Sequence, residues 1–478
     1  MRRIRFDFGK NGDRRFDRHR QQKEDNMKKK RFFAGILAGA VLAAGLAGCG
    51  SAPSDSSAPA ASGSAAASGS SGVVEVTIPS YKTGENVGAV FFEPQVERFN
   101  QAYEGQYHII LESVPQDTFL DQMKMLAQQG ELPVLVQSGD VDWLTNVVYP
   151  NGLAYDLSGW LEENPELKAR LLPDGLAFCT DDSGAVYSMP LATVRPTGFF
   201  WNSALWDTQE DLSAMTMEQF IAALGDQKIA FSTAENGWVA ALFLTAAIAD
   251  EEGGIQWLQG GVENRITDFS EPAFVNAVAT LQQMLQNNAA SNSIGAAYAD
   301  AANAFMSNQA AVIANGPWMS ADFAETNSAN WSNGFNGADV RAALFPGQVG
   351  IANTATYGEW FISANAAPEE IELALAFLEF INSPEELEAY LLAEGGDAPG
   401  LTYSDGFKAE QGKTQVLADL AADTTADTVF VPCILDVIPS SVANSDFGML
   451  LPSLADGSFT PEDFAQRMTQ AATEATAE

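Results

Sequence analysis

Few residues in this chain could carry out catalysis. His108 is the one histidine after residue 48, and it opens the strand-like run of residues 108–111, so we read it as a surface strand residue. A Ser-His-Asp triad and a histidine-rich zinc site are therefore excluded, and we expect neither a metal nor a cofactor. Cys179 and Cys433 could form a disulfide in an oxidising compartment or be two buried thiols; we favour free thiols, but their spacing does not decide.

The third cysteine, Cys49, could carry a lipid. It ends a pattern of basic residues at 28–31, an apolar run over residues 32–47 and small residues directly before the thiol. This order resembles a bacterial lipoprotein signal, in which cleavage makes the cysteine the new N-terminus. A membrane-spanning helix needs about 20 apolar residues, and this run is shorter. We therefore expect lipidation of Cys49 and attachment to the cell membrane on its extracytoplasmic face.

The same segment divides the N-terminal part of the chain. Because signal peptides begin with their positive charges, Met27 is the expected start, and residues 1–26 are a mispredicted or extended N-terminus. Residues 27–48 form the signal peptide. Residues 49–72, the cysteine followed by Ser, Ala, Gly and Pro, form a flexible linker about 25 Å long on average. Function is expected in residues 73–478.

The charge of the chain excludes one class of partner. Residues 1–48 hold 13 of the 25 basic and 5 of the 62 acidic residues, which leaves 12 basic against 57 acidic residues. Nucleic-acid binding needs clustered Lys and Arg, so we expect no nucleic-acid partner. About 400 residues exceed one ordinary domain, and two lobes are expected.

The coarse pattern of the chain is α/β. Strands are predicted over residues 73–78, 108–114 and 134–136, and amphipathic helices over residues 90–103 and 117–129. Strands that alternate with helices predict a parallel sheet with right-handed crossovers. Capping-box spacing marks three later helix starts, at Thr216 with Gln219, Ser383 with Glu386, and Thr460 with Asp463. A helix after Pro368 has the predicted buried stripe Ile371, Leu375, Leu378 and Ile381.

One segment carries a family signature. Residues 305–318, which read Phe-Met-Ser-Asn-Gln-Ala-Ala-Val-Ile-Ala-Asn-Gly-Pro-Trp, predict a helix that ends near Asn308, a buried strand over residues 311–314 and a tight entry into another helix. The segment resembles the signature of extracellular solute-binding proteins of the carbohydrate type. Trp318 would then lie at the carboxyl end of a strand, where open α/β sheets bind their ligands.

Other segments resemble that family in the same order along the chain. Residues 184–190 resemble its hairpin before the first crossing between lobes, residues 199–202 the strand after it, and residues 379–386 a helix-turn-helix near the second crossing. Phe447 stands where maltodextrin-binding members have Trp.

The resemblance implies a two-lobed periplasmic-binding-protein-like fold of class II type, which closes on a solute held in a cleft between the lobes. We assign residues 73–192 and 358–400 to lobe one. We assign residues 193–357 and 401–478 to lobe two.

Sugar binding needs flat apolar surfaces for pyranose rings and planar polar groups for hydroxyls. Four tryptophans follow strand ends or crossings, although tryptophan is most often a packing residue. The candidates are Trp143, Trp238, Trp318 and Trp360, together with Phe447 at the maltodextrin position.

The polar candidates also follow predicted strands or crossings. They are Tyr81, Lys82, Gln137, Ser138, Arg195 and Glu359. For Lys82, a salt bridge is as good an interpretation as ligand contact. If Lys82 and Arg195 both face the cleft, an acidic sugar becomes a reasonable ligand.

The leading hypothesis is a lipid-anchored, monomeric receptor that performs no chemistry and delivers a mono- or oligosaccharide to ABC permease subunits driven by a separate ATPase. One alternative keeps the fold but binds a peptide, a metal chelate or a polyamine. A polyamine would need acidic residues in the cleft, such as Glu85, Asp142 or Glu359. A second alternative is a surface glycoside hydrolase, which needs only paired carboxylates. With 57 acidic residues after position 48, no such pair stands out.

Overall fold

A computed structural model describes residues 72–84, 88–137 and 140–477. Cys49, Glu85, Ser138 and the N-terminal segments that the sequence predicts lie outside these residues. The described residues form ten strands, which are β1 Val74–Ser80, β2 Tyr107–Ser113, β3 Leu135–Gln137, β4 Gly198–Asn202, β5 Ile229–Ala230, β6 Val312–Asn315, β7 Val340–Leu344, β8 Val349–Ile351, β9 Trp360–Ile362 and β10 Val429–Val431.

Helices separate most of these strands. The α-helices are α1 Ala89–Ala102, α2 Gln116–Gln129, α3 Val141–Trp143, α4 Ser158–Glu163, α5 Pro165–Lys168, α6 Pro173–Cys179, α7 Met217–Leu224, α8 Trp238–Asp250, α9 Gly254–Glu263, α10 Pro272–Asn287, α11 Tyr298–Phe305, α12 Pro368–Ile381, α13 Pro384–Glu394, α14 Asp405–Gln411, α15 Gln415–Asp423, α16 Phe447–Ala455 and α17 Pro461–Ala477. Two π-helical turns, Leu144–Val148 and Val442–Asp446, and four 3₁₀ turns, Pro317–Phe323, Glu325–Asn330, Gly337–Asp339 and Ile434–Asp436, complete the described elements.

The strands pair in four small sheets. β1 and β2 are parallel, as predicted. The prediction that the third strand also pairs in parallel is wrong. In the described residues β3 pairs antiparallel with β9, which lies more than 200 residues later in the chain. The largest sheet has the order β5-β6-β4-β7, with β4 antiparallel to both of its neighbours. β8 and β10 form a short parallel pair.

Two main hydrophobic cores form around these sheets, and the fold has two lobes. The first core contains Ile78, Leu135 and Ile362, and its residues come from 76–192 and 360–387. The second core draws on residues 199–351 and 416–472 and includes the almost fully buried helix α8. The lobe boundaries given above stay a prediction.

A smaller apolar cluster lies on the other side of the β3–β9 pair. Val136 and Phe361 belong to this cluster, whereas their neighbours Leu135 and Ile362 belong to the first core. This alternation is the period-two arrangement of a strand that is buried on both faces. Trp143 packs in the same cluster.

Most predicted helix starts have the expected caps. Thr216 and Gln219 form a reciprocal capping box at α7, and Thr460 exchanges hydrogen bonds with Asp463 at α17. At α13 only half of the predicted box forms. Ser383 accepts from the Glu386 N–H, but the Glu386 carboxylate binds Arg98 instead of returning to the cap.

The predicted stripe on α12 is shifted. Leu378 is buried as expected, but the fully buried positions beside it are Leu373, Ala374 and Phe377. The other predicted positions, Ile371, Leu375 and Ile381, are half-buried against the first core. A continuous apolar run offers several faces, and packing against the β1 sheet selects one of them.

The segments that connect the two cores are tightly packed against each other. The Met189 N–H donates to the Trp360 carbonyl, and Ser188 Oγ donates to the Gly358 carbonyl. An ideal Cβ on Gly358 would lie 1.3 Å from the Met189 carbonyl oxygen, so only glycine permits this approach.

Candidate functional site

A cavity lies where the two cores meet. Its volume is about 600 Å³, which is a usual size for a small-molecule pocket. Phe92, Met189 and Trp360 reach its wall from the first core, and Leu242 and Ile351 reach it from the second. The cavity is thus a cleft between the two lobes whose wall combines apolar and polar side chains.

Two of the predicted tryptophans form one side of the cavity. Trp238 is the first residue of α8, and Trp318 is the second residue of the 3₁₀ turn after β6. Both are half-buried and line the cavity, with ring centroids 6.4 Å apart and planes tilted by 46°. The signature segment therefore brings Trp318 to the cleft beyond the carboxyl end of a strand, as expected.

Three neighbours fix the orientation of Trp318. Its Nε1–H donates to the Tyr298 hydroxyl over 3.3 Å, and Asn315 Nδ2 donates to the same hydroxyl over 3.1 Å. An ideal Cβ on Gly316 would lie 2.1 Å from two carbons of the indole ring. The ring therefore lies directly against the glycine backbone, which leaves it little freedom to turn.

Trp360 has a packing role as well as a cavity contact. It is 3% exposed, stacks on Phe92 at 5.6 Å between centroids and meets Phe377 edge to face. It nevertheless lines the cavity, so its exposed edge belongs to the wall.

Trp143 and Phe447 do not line the cavity, which corrects the expectation from their positions in the sequence. Trp143 packs in the cluster beside β3 against Phe361, and Phe447 is fully buried in the second core against Phe464. Position along the chain identified both residues as near the cleft. The packing of the surrounding core directs each of these side chains away from the cavity.

The polar candidates from the ends of β1, β3 and β9 form one cluster. Lys82 forms a salt bridge with Glu359, and Gln137 Nε2 donates to the same Glu359 oxygen over 3.2 Å. Ser80 Oγ in turn donates to Gln137 Oε1 over 2.8 Å. Gln137 is buried and outside the cavity wall, whereas Tyr81, Lys82 and Glu359 line it.

Electrostatics keep this cluster ionised. Desolvation is the strongest influence on Glu359 and acts to raise its pKa, but Lys82, Arg195 and Gln137 together hold that pKa below its usual range. Desolvation likewise opposes the charge of Lys82, yet Glu359 and two nearby tyrosines hold the pKa of Lys82 above its usual range. Both groups are therefore charged at neutral pH.

Arg195 lies on the segment that connects the cores and contacts both lobes. Its Nη1 donates to Glu394 over 3.4 Å, and its guanidinium lies 5.5 Å from the Trp318 ring centroid and 5.6 Å from that of Tyr390. Desolvation opposes its charge, but Tyr390, Glu394 and Glu359 hold the pKa of Arg195 above its usual range. Arg195 therefore lines the cavity as a fixed cation.

Among the cavity residues that escaped the sequence analysis are Tyr390, Glu394 and Asp436. Tyr390 and Glu394 are four residues apart on α13 and so share one helix face, a spacing that could have identified them once the cap at Ser383 was recognised. Asp436 lies in the 3₁₀ turn after Cys433, where desolvation raises its pKa to about 6.

Asp142, named above as a polyamine candidate, bridges the lobes instead of lining the cavity. Its carboxylate accepts from the Ser440 N–H over 3.1 Å and lies 3.7 Å from Arg265 Nε. Within the described part of the chain, no cluster of His, Cys, Asp and Glu could hold a metal ion. Cys179 and Cys433 are unpaired buried thiols in different cores.

Comparison with known families gives one match. A family model described as bacterial extracellular solute-binding protein matches residues 95–408, about two thirds of the chain. A comparison with curated protein sequences finds no match.

Solved structures share the fold over nearly the whole described chain. A chitin oligosaccharide binding protein matches with a TM-score of 0.65 and 18% identity over 85% of this chain and 100% of its own. A Streptococcus pneumoniae solute-binding protein in complex with the blood group A-trisaccharide matches with a TM-score of 0.62 and 18% identity over 84% of this chain and 99% of its own. The raffinose complex of RafE matches with a TM-score of 0.59 and 18% identity over 84% of this chain and 100% of its own.

Proposed function

The chain belongs to the bacterial extracellular solute-binding proteins, and on that premise we propose that it captures a carbohydrate in the cavity between its lobes. The ligand is a mono- or oligosaccharide. The protein hands it to the permease subunits of an ABC importer, which a separate ATPase drives.

One observation carries this proposal. The cavity combines half-buried indole rings, Trp238 and Trp318, with ionised and planar polar groups at Lys82, Glu359 and Arg195. A pyranose has apolar C–H faces, which can stack on the indole rings, and a rim of hydroxyls, which can form hydrogen bonds with the polar groups. Structural neighbours that bind chitin oligosaccharide, raffinose or a blood-group trisaccharide support the same class of ligand.

The contacts across the cavity support capture by lobe closure. Arg195 is near the connecting segments, and Asp142 reaches Arg265 and Ser440 of the second lobe on another side. Closure around a ligand would form such contacts, and opening would break them. In this proposal residues 73–192 and 358–400 move against residues 193–357 and 401–478.

We place the protein at the extracytoplasmic face of the membrane, held by a lipid on Cys49 and acting as a monomer without catalysis. The family is extracellular, and the signal pattern before Cys49 supports the anchor. Metabolic labelling with a radioactive fatty acid tests it, since Cys49→Ser should abolish both labelling and membrane recovery. In the described ranges, no helix has the length and apolar character that a bilayer crossing requires.

A thermal-shift screen of the purified protein tests the proposed ligand class. Neutral mono- and oligosaccharides, polyamines, peptides and metal chelates form the panel, because a ligand at a hundred times its Kd adds about 2.7 kcal/mol of stability. A shift with a carbohydrate supports the proposal. A shift with a polyamine or peptide and with no carbohydrate overturns the sugar ligand but retains the receptor.

Variants link the shift to the cavity. Trp238→Ala should reduce carbohydrate affinity by at least about tenfold, since stacking on an aromatic ring is lost. Trp160→Ala is the matched control, because Trp160 packs against the first core and does not line the cavity. Equal affinity loss in both variants would mean that the indole in the cavity makes no special contribution.

An assay for reducing ends tests the alternative function. Release of reducing ends from a polysaccharide would indicate a hydrolase.

A further inference from the structure

Both cations of the cavity wall are paired with carboxylates, although the chain as a whole is strongly acidic. After residue 48 acidic residues outnumber basic ones 57 to 12. In the cavity wall, however, Lys82 pairs with Glu359 and Arg195 pairs with Glu394. Two of the 12 basic residues thus lie in the cavity wall, and each of them pairs with one acid.

Further hydrogen bonds hold the Glu359 side of the Lys82–Glu359 pair. Gln137 donates to Glu359, and Ser80, at the end of β1, orients Gln137. The side chains of Lys82 and Glu359 keep 22% and 34% of their surfaces exposed, and both line the cavity. The pair therefore offers a ligand a donor and an acceptor side by side, already ionised and already paired.

The remaining charged groups of the wall each have a hydrogen-bond partner already. Arg195 is held by Glu394 and lies near two aromatic rings, so a ligand carboxylate would have to compete with Glu394 for it. Asp436 is the third carboxylate of the wall. Its carboxylate accepts from the Cys433 N–H, and Arg265 donates to its backbone carbonyl.

We propose that the Lys82–Glu359 pair makes the cavity select uncharged sugars over uronates and amino sugars, a proposal that rests on the carbohydrate function given above. A neutral sugar can donate one hydroxyl to Glu359 and accept from Lys82 with another, without disturbing the pair. A uronate would bring a second anion close to Glu359, and a protonated amino sugar would bring a second cation close to Lys82. Each would lose its water shell and would meet only counter-charges that already have a hydrogen-bond partner.

This selection differs from the acidic-sugar hypothesis that the sequence allowed. That hypothesis required Lys82 and Arg195 to face the cavity, and both of them do. Each is already neutralised by a carboxylate, and the sequence could not reveal those partners because they lie 277 and 199 residues away.

Isothermal titration of the full protein measures the selectivity. The probes are glucose, galactose and N-acetylglucosamine with their disaccharides, and the corresponding uronates and free 2-amino sugars. We expect the best neutral sugar to bind at least about tenfold more tightly than its charged counterparts at low ionic strength. A uronate or amino sugar that binds as tightly would overturn the selectivity while the carbohydrate function stands. If no sugar of any charge binds, the proposed function itself fails.

Two substitutions should reverse the preference in opposite directions. Glu359→Gln frees Lys82 and should raise the affinity for the uronate relative to the neutral sugar by about tenfold. Lys82→Met frees Glu359 and should favour the amino sugar by a similar factor. The double variant has neither charge and should recover the preference for the neutral sugar, which separates charge selection from damage to the fold.

Glu410→Gln is the matched control. It removes the same charge from an exposed pair with Lys413 on the surface, outside the cavity wall. Its relative affinities should equal those of the unchanged protein. If it increases uronate binding as much as Glu359→Gln does, the overall charge of the protein sets the preference and the pair does not.

Discussion

At the scale of single residues, Trp318 illustrates how the site obtains a rigid surface. Its indole lies against Gly316, its Nε1–H is bound by Tyr298, and Arg195 lies 5.5 Å from its ring centroid. Each contact comes from a different part of the sequence. Together they reduce the entropy that the ring would lose on binding a ligand, which is the benefit of preorganisation.

Gly316→Ala tests the backbone contact beneath this ring. The added methyl group would meet the indole 2.1 Å away and force it to turn, so carbohydrate affinity should fall by at least about tenfold. Calorimetry gives the affinity, and tryptophan fluorescence reports the changed surroundings of the ring. Gly260→Ala is the control, because nothing lies within 4 Å of its new methyl group. An unchanged affinity and emission spectrum for Gly316→Ala would contradict the proposed positioning.

Tyr298→Phe tests the hydrogen bond to the same ring. The substitution keeps the aromatic packing but leaves Trp318 Nε1–H and Asn315 without the hydroxyl, which should cost about 1 kcal/mol of stability. We also expect weaker carbohydrate binding, because the ring is no longer fixed. If stability falls but affinity and fluorescence stay unchanged, Tyr298 has a purely structural role.

The Lys82–Glu359 pair gives a pH-dependent prediction. The pKa of Glu359 is lowered in the folded protein, so the unfolded chain binds more protons in the window below the ordinary value of 4.5. The pair therefore stabilises the fold above that value, and the stability is lost as the pH falls through the lowered pKa. Lys82→Met should cost about 1–3 kcal/mol at pH 7 and progressively less towards pH 3.

Urea unfolding between pH 3 and 7 measures this difference. Lys413→Met, which removes a lysine from an exposed pair with Glu410, is the control and should change stability by less than about 0.5 kcal/mol. A cost of Lys82→Met that does not vary with pH would show that the lysine stabilises the fold through packing and not through charge.

At the scale of elements, the connecting segments matter most, because they hold the lobes together and line the cavity. Residues 189–195 and 351–360 both contribute to the wall. A backbone hydrogen bond from the Met189 N–H to the Trp360 carbonyl joins them, and they are in contact at Gly358. A short, closely packed crossing lets the lobes move as units while the groups beside it keep their positions.

Gly358→Ala should therefore destabilise the whole fold. Its methyl group would lie 1.3 Å from the Met189 carbonyl oxygen, a clash with backbone that no rotamer change can relieve. We expect a loss of at least about 3 kcal/mol in chemical unfolding. Gly406→Ala, whose nearest neighbour atom would be 3.7 Å away, is the control and should be nearly neutral. Near-native stability of Gly358→Ala would mean that the two segments can separate without cost.

At the scale of the whole molecule, few charged contacts among the described residues hold the lobes together away from the connecting segments. Asp142 of the first lobe accepts from the Ser440 N–H and lies 3.7 Å from Arg265 of the second. Such a contact stabilises the closed arrangement by a small amount. It can therefore shift the balance between open and closed forms without changing the cavity itself.

Asp142→Ala should shift that balance towards the open form. We expect carbohydrate affinity to fall by a factor of about 2–10, in proportion to the lost closed population, while the melting temperature of the unliganded protein changes little. Small-angle X-ray scattering should give a larger radius of gyration without ligand and the same radius with it. Glu162→Ala, which breaks a pair with Lys168 inside the first lobe, should change neither. An unchanged affinity and radius for Asp142→Ala would show that this contact does not control closure.

The sequence by itself determined the family, the two-lobed fold and the local elements around Trp318. These features depend on neighbours in the chain: helix caps at Thr216 and Thr460, the run of residues 305–318, and strands of alternating or continuous apolar character. Helix caps and hydrophobic periodicity depend on residue types at fixed spacings along the chain, so both can be predicted from the sequence alone.

Only the tertiary structure decided which candidates line the cavity and how their charges are paired. Trp238 and Trp318 face it, whereas Trp143 and Phe447 are buried in cores, although all four occupy plausible positions in the sequence. Lys82 meets Glu359 across 277 residues. The physical reason is that side-chain direction across a cleft follows from the packing of distant segments, and no local spacing in the sequence records it.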